Sequence, residues 1–231
     1  MSAQAAFRTK ILFDTNQLLQ KAKSEEEIFS LTASQLIKLL NRSLIVYPEQ
    51  NGVLGSEQVF GVDDETAQNI FSAPEERDAA NWTFANKKRS GAGTDSYPDA
   101  KGLYLALRTG GGVFGVVGID LSEKPLDAFE NSVLLSILGE GALAIENRRN
   151  ALEKEQATVQ AQNEQLRANL LRTISHDLRT PLTSISGNAS NLLSNGETLD
   201  TETRNKICTD IFDDAQWLIG LVENLLRSEE H

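Results

Sequence analysis

Apolar residues recur at three- and four-residue spacing through 7–19, marked by Ile11, Leu12, Leu18 and Leu19, and through 26–40, marked by Ile28, Leu31, Leu36 and Leu39. A stripe at that period predicts an amphipathic helix in each stretch. Ser24 followed by Glu27 is a capping box that starts the second one. The period then shortens. Residues 43–47 read as a buried strand ended by Pro48, and 53–60 as another strand after the Asn51-Gly52 turn. Residues 74–88 return to helix, with Pro74 near the first turn and Trp82 on the apolar face. A Gly/Ser/Asp loop over 90–98 leads to two strands, 103–107 and 113–119, flanking Gly110-Gly111-Gly112. Helices mixed with antiparallel hairpins predict an α+β domain over residues 7–146.

From about Leu126 the pattern is helical throughout, with Gly139 and Gly141 the sole interruptions before Pro181. Ile145, Leu152, Val159 and Leu166 recur every seven residues, which is one seam of a coiled coil. Arg149, Gln156 and Asn163 stand where the complementary seam needs apolar side chains. Half a seam dimerises weakly, but it suits a transmission rod over 147–169 whose register costs little to change. A plain solvated linker helix is the alternative.

From Leu170 the stripe strengthens: Leu171, Ile174, Leu178, Leu182, Ile185, Ala189 and Leu192 share one face. His176 lies two residues beyond Ile174, about 200° around the helix, and so points away from that face toward solvent. Asn195-Gly196 ends this helix, and Asp200 or Thr201 caps the next. Ile207, Ile211, Ala215, Leu218, Val222 and Leu225 form its seam, flanked by Trp217 and Leu221 as packing residues. Two such helices have too small a core to stand alone. Pairing two chains into a four-helix bundle buries both seams, so the pattern predicts a homodimer through 170–228.

The chemistry concentrates in Ser175-His176-Asp177-Leu178-Arg179-Thr180-Pro181-Leu182. Neutral imidazole is nucleophilic near pH 7, which suits His176 to carry a phosphoryl group. Asp177 is placed to hydrogen-bond the other ring nitrogen, fixing the tautomer and stabilising charge as attack proceeds. Thr180, one turn on, shares the face of His176 and is placed to orient a water. Pro181 lacks an amide donor and is expected to bend the helix just past the site.

Bulk properties narrow the partners. The 231 residues suit two domains, and a formal net charge of −11 argues against nucleic acid and against docking on an anionic membrane. Lys87, Lys88 and Arg89 form the one basic run and read as a solvated helix end. Cys208 is the only cysteine, excluding an internal disulfide and a multi-cysteine metal site; its helical stretch predicts a buried small hydrophobe. No run approaches the roughly 20 apolar residues of a membrane span, and the first residues lack the order of a secretory signal. The expected location is the cytosol, with a longer parent protein in the cell membrane. His231, the last residue, is compatible with the start of a tag.

The octapeptide around His176 resembles the H-box of sensor histidine kinases, and most of the chain is similar to the KdpD type of potassium- and osmotic-stress sensor kinase. The resemblance rests on residues 170–182, then Ile185-Ser186-Gly187-Asn188-Ala189 and Leu218-Ile219-Gly220-Leu221-Val222-Glu223-Asn224-Leu225-Leu226. In the first half, Ala80-Asn81-Trp82-Thr83-Phe84, Gly91-Ala92-Gly93-Thr94-Asp95-Ser96 and Val113-Phe114-Gly115-Val116-Val117-Gly118 resemble the GAF domain of those kinases. The implied architecture is a GAF-like domain joined by a long signalling helix to a helical hairpin that dimerises as a four-helix bundle. The implied chemistry is phosphorylation of His176 from ATP and transfer to an aspartate of a response regulator. The H-x-x-x-T spacing implies phosphatase activity as well, with Asp177 as acid/base and Thr180 positioning water. Family members carry an ATP-binding domain after the second bundle helix, with ATP and magnesium as cofactors. These 231 residues stop before it, so the resemblance implies a piece that holds no cofactor and needs that domain as a partner.

Gly110-Gly111-Gly112 with Gly115 and Gly118 lacks the lysine and following helix of a phosphate-binding loop, and reads as a hairpin turn. The rival reading of the whole is a non-catalytic GAF-containing dimer that senses a small molecule. A ligand-sized pocket under Trp82, Tyr104 and Phe114 would favour it, whereas a filled core there favours transmission of strain. A scaffold that has lost activity is a third reading, against which the intact His176, Asp177 and Thr180 argue.

Overall fold

The computed structural model describes residues 3–61 and 64–228, which divide into two units, Met1–Lys154 and Glu155–His231. The N-terminal unit runs α1 (Ala3–Lys21), α2 (Glu25–Leu40), β1 (Leu44–Gln50), β2 (Val53–Leu54), β3 (Gln58–Phe60), α3 (Asp64–Phe71), α4 (Pro74–Asn86), β4 (Ser90–Gly91), β5 (Gly102–Thr109) and β6 (Gly112–Asp120). It closes with the first part of α5 (Ala128–Asn195). The strands form one antiparallel sheet in the order β2-β1-β6-β5-β4, with β3 also paired to β1. This is the expected α+β class.

Alternation along the strands gives the sheet two buried faces. Leu44 and Val46 of β1, Leu103, Leu105 and Leu107 of β5, and Val117 and Ile119 of β6 pack with Phe29 and Leu36 of α2 and Val133, Leu134 and Ile137 of α5. The intervening Ile45, Tyr47, Tyr104 and Val116 pack with Phe71 of α3 and Ala79 and Ala80 of α4. The unit is therefore three-layered, helices on both sides of the sheet. The capping box holds: the Glu27 amide donates to Ser24 Oγ at 3.1 Å, and the Lys23 amide donates to Glu27 Oε2 at 2.7 Å.

Several expectations change. Pro48 does not end β1; it stays in register opposite Gly115, and its carbonyl accepts the Gly55 amide at 2.7 Å. The stretch 53–60 is two short strands rather than one, both folded onto β1. Helix α3 was not anticipated, because its polar sequence is anchored by little more than buried Ala67 and Phe71. On α4 the inward face is Glu76, Ala79, Ala80 and Thr83, and Trp82 is only half-buried. Two alanines let the helix approach the sheet closely, and Glu76 is tolerated because three donors meet it.

Those donors are the amides of Lys101 (2.7 Å) and Gly102 (3.1 Å) and the Tyr104 hydroxyl (2.6 Å). Burial and the Glu76 hydrogen bond push the Tyr104 hydroxyl far up from its ordinary range. A Cβ added at Gly118 would lie 2.4 Å from a Tyr104 ring carbon. The space beneath Tyr104 is filled, and Phe114 lies in the other layer. A bulge at Leu107/Arg108 opposite β6 accounts for Phe114: Leu107 pairs with Gly115 and Arg108 with Val113, leaving Phe114 as the extra residue.

Helix α5 starts with a reciprocal box: the Glu130 amide donates to Asp127 Oδ1 at 2.7 Å and the Asp127 amide to Glu130 Oε2 at 2.9 Å. One window of α5 has the length and mean hydropathy (1.3) of a membrane span, and 39% of it is buried. Val133, Leu134, Ile137, Leu138 and Ala142 of this helix lie in the core of the N-terminal unit, which accounts for its apolar content. Ile145 is wholly buried in the same core, so it belongs to the domain and not to the expected coiled-coil seam. From Asn150 to Thr173 every residue is exposed, Leu152, Val159 and Leu166 included.

In the C-terminal unit α5 turns back at Asn195-Gly196 and α6 spans Thr201–Ser228. The Gly196 amide donates to the Leu192 carbonyl at 3.0 Å, and a Cβ on Gly196 would approach that oxygen to 2.4 Å. Asp200 is the cap, its carboxylate accepting the Thr203 amide (2.8 Å) and hydroxyl (2.7 Å), which hold its pKa down. His231 lies outside the described residues.

Candidate functional site

The hairpin leaves part of its apolar surface open within one chain. Ile174, Leu178, Ile185, Ala189 and Leu192 of α5 are half-buried, as are Ile211, Ala215, Leu218 and Leu225 of α6; Ile207 and Pro181 are buried. Leu171, Leu182 and Leu193 of α5 and Phe212, Ile219 and Val222 of α6 remain exposed. An exposed apolar series of this extent is unusual on a monomer and marks an interaction face. The expected seam is thus two rows, one closing the hairpin and one facing outward.

His176 stands on the polar side of α5 with 78% of its side chain exposed. Its Nδ1 lies 3.3 Å from Oδ1 of Asp177. When Nδ1 carries the proton and donates to that carboxylate, Nε2 is left as an open lone pair. Helix α5 runs on through Pro181, which brings no amide to the Asp177 carbonyl one turn back.

Asp177 and Thr180 line one open groove of about 650 Å³ together with Pro181, Ser184, Asp214 and Trp217. The H-box spacing brings Asp177 and Thr180 next to His176, whereas Asp214 joins them from α6 with no local signal in the sequence. Trp217, expected to pack beside the seam, is 51% exposed and walls the groove. Cys208, expected to be buried, is exposed: its helix keeps Ile207 and Ile211 inward and turns the intervening face to solvent. The groove does not fit a nucleotide. A polyphosphate there would meet the Asp177 and Asp214 carboxylates instead of a cradle of amides or a lysine. Among the described residues, no three His, Cys, Asp or Glu side chains group to hold a metal ion.

The rod offered a second missed residue. Arg149 fits the seam badly because it belongs to the N-terminal unit: Nε and a terminal nitrogen donate to the two oxygens of Glu25, each at 2.9 Å, and the other terminal nitrogen to Glu49 at 2.6 Å. The polar interruption of an apolar repeat was the signal that pointed to it.

Residues 166–230 match the family model of the His Kinase A (phospho-acceptor) domain. The chain is 36% identical over 220 residues to the sensor protein KdpD of Clostridium acetobutylicum, a match covering 95% of this chain and 24% of that protein. The chain is similar along nearly its whole length to one part of the KdpD sensor proteins. A second KdpD sensor protein, from Escherichia coli K12, is 29% identical over 79% of this chain and 20% of its own length. The chain therefore spans about a quarter of the length of these KdpD relatives or less. Among solved structures, the GAF domain of the E. coli potassium sensor histidine kinase KdpD matches with a TM-score of 0.46 and 19% identity, over 63% of this chain and 98% of that one. The GAF domain of a sensor histidine kinase from Pseudomonas syringae pv. tomato gives 0.47 and 19%, over 67% and 94%.

Proposed function

We propose that this chain is the dimerising phosphoacceptor part of a KdpD-type two-component sensor kinase, with His176 as the phosphoryl carrier. ATP, held with magnesium by an ATP-binding domain, is the donor substrate, and a response-regulator aspartate is the acceptor. The observation that carries this reading is the exposed imidazole with Nδ1 on Asp177. In the first step the Nε2 lone pair attacks the γ-phosphorus, the bond from phosphorus to the bridging oxygen breaks, and ADP leaves. The imidazole gains positive charge, which the Asp177 carboxylate at Nδ1 stabilises. In the second step a receiver carboxylate oxygen attacks phosphorus and the nitrogen–phosphorus bond breaks, returning neutral His176. Thr180, on the same groove wall as Asp177, orients the water for hydrolysis of the phosphorylated regulator.

The outward apolar row of the hairpin supports a homodimer through a four-helix bundle. The filled sheet face at Tyr104 and Glu76 supports transmission of strain by a GAF-like domain. An opening of about 410 Å³ in the N-terminal unit, near Asn16, Ile28, Glu140 and Arg148, lies at the helical layer, away from Trp82 and Tyr104. The chain acts in the cytosol, as part of a membrane sensor system that answers potassium or osmotic stress. Mixing the phosphorylated chain with the receiver domain tests the second step. Label should pass to the receiver aspartate and leave the chain; label retained by the chain contradicts the reading.

A further inference from the structure

We propose that the N-terminal unit holds a binding site for a short zwitterion whose carboxylate and ammonium stand several bonds apart. Arg148 takes the carboxylate and Glu140 the ammonium. The site goes beyond the phosphoryl chemistry at His176 and does not depend on it.

The cavity of about 410 Å³ lies between α1 and α5, where α2 begins. Leu19, Ile28 and Ala144 give it an apolar lining, and the first two are buried in the core beneath. Glu140, Ala144 and Arg148 follow at four-residue spacing and share one face of α5. Eight residues of helix set the two charged positions about 12 Å apart along its axis. The Arg148 side chain shortens that span, because helical side chains lean toward the N-terminus and hence toward Glu140. Asn16 of α1 joins the far end: its Nδ2 donates to Glu140 Oε2 at 2.8 Å, and Gln20 Nε2 donates to Asn16 Oδ1 at 2.8 Å. Among the described residues nothing donates to Glu140 Oε1, so this end still offers an acceptor.

Arg148 supplies the opposite chemistry. Its Nε is buried without a hydrogen-bond partner, and among the described residues no carboxylate pairs with its guanidinium. The neighbouring Arg149 shows the contrast, being forked onto Glu25 and held by Glu49. Buried donors in native proteins are satisfied, and an orphaned one calls for a bound group. The Nε–H and the adjacent terminal N–H of a guanidinium lie parallel and take both oxygens of one carboxylate. A second negative charge would meet Glu140 in the same cavity, whereas an ammonium there would find the open Oε1. Adjacent charges, as in glycine, are too close together to reach both ends. The site lies on the α2 and α5 side of the sheet, apart from the face filled by Tyr104 and Glu76.

The test is calorimetric titration of the chain with 6-aminohexanoate and with dialanine, beside hexanoate, hexylamine and adipate. Saturable binding of either zwitterion is expected, and the tighter of the two assigns the source as a free ω-amino acid or a short peptide. Hexanoate and hexylamine each lack one charge and should bind about tenfold more weakly or worse. Adipate, whose second carboxylate meets Glu140, should not bind. Arg148→Met should lower the zwitterion affinity about tenfold or more, with circular dichroism unchanged. Glu140→Gln should erase the preference over hexanoate. The Arg148 Nε–H proton resonance, identified by its loss in Arg148→Met, should shift on binding. No saturable heat with either zwitterion overturns the proposal, as does an unchanged affinity in a folded Arg148→Met chain. An Arg148→Met chain that loses its dimer by light scattering also overturns it, because a second copy then covers the guanidinium.

Discussion

The Nδ1 atom of His176 lies 3.3 Å from Oδ1 of Asp177, and both side chains are open to solvent. Neighbours in sequence on a helix diverge by about 100°, so this contact depends on the short aspartate bending toward the ring. It leaves the far nitrogen unobstructed. Replacing His176 with Gln should abolish phosphate acceptance and leave the dimer intact by light scattering. Loss of the dimer would mean that His176 holds the bundle together.

Asp177→Asn keeps the hydrogen-bonding shape but removes the charge that stabilises the imidazolium. Positioned acid/base groups contribute about 10²-fold or more. Phosphorylation of His176 should slow by about that factor, with the melting temperature unchanged. A full rate in the Asn variant would remove Asp177 from the chemistry.

Thr180→Ala in the full-length kinase should weaken phosphatase activity more than phosphorylation of His176, because water positioning is needed only for hydrolysis. Equal losses in the two assays would show that the hydroxyl supports the groove and not the water.

Much of this site was legible because the apolar period and the H-box residues lie in one continuous helix. His176 falls off the stripe by simple rotation, and the structure leaves it exposed. What the sequence could not reveal involves partners distant along the chain. Glu76 is found against Tyr104 and the 101–102 amides, and Arg149 against Glu25 and Glu49. Such charges read locally as surface residues, and only tertiary packing shows them to be satisfied inside. Cys208 failed for the opposite reason: an apolar neighbourhood in sequence was taken for burial, although the helix turns it outward. Pro48 stayed in its strand because a register partner and a use for its carbonyl outweighed the missing amide.

Tyr104→Phe removes one of three donors from the buried Glu76 carboxylate. Leaving a buried acceptor short of a partner costs about 1–3 kcal/mol. Urea unfolding should show that loss, and Gly118→Ala should show one of about 1–3 kcal/mol by crowding the same ring. Unchanged midpoints would mean that the face beneath Tyr104 is loosely packed.

Acid should weaken the clamp on α5. Burial alone would raise the Glu49 carboxyl, but the Gly52 amide and Arg149 outweigh it and hold the pKa below the ordinary value of 4.5. A depressed carboxyl contributes stability above its unfolded value and loses it as pH falls through the folded one. Thermal unfolding from pH 7 down to 3 should therefore show a steeper decline in the parent than in Glu49→Gln. Parallel declines would contradict the pairing.

The most direct measurement combines this chain with a separately prepared ATP-binding domain of the same kinase and labelled ATP, followed by peptide mapping. The account predicts acid-labile, alkali-stable phosphate on His176 and none on the Gln variant. A folded dimer with an active partner domain and no label on His176 would contradict it, leaving a sensory scaffold with an inert H-box.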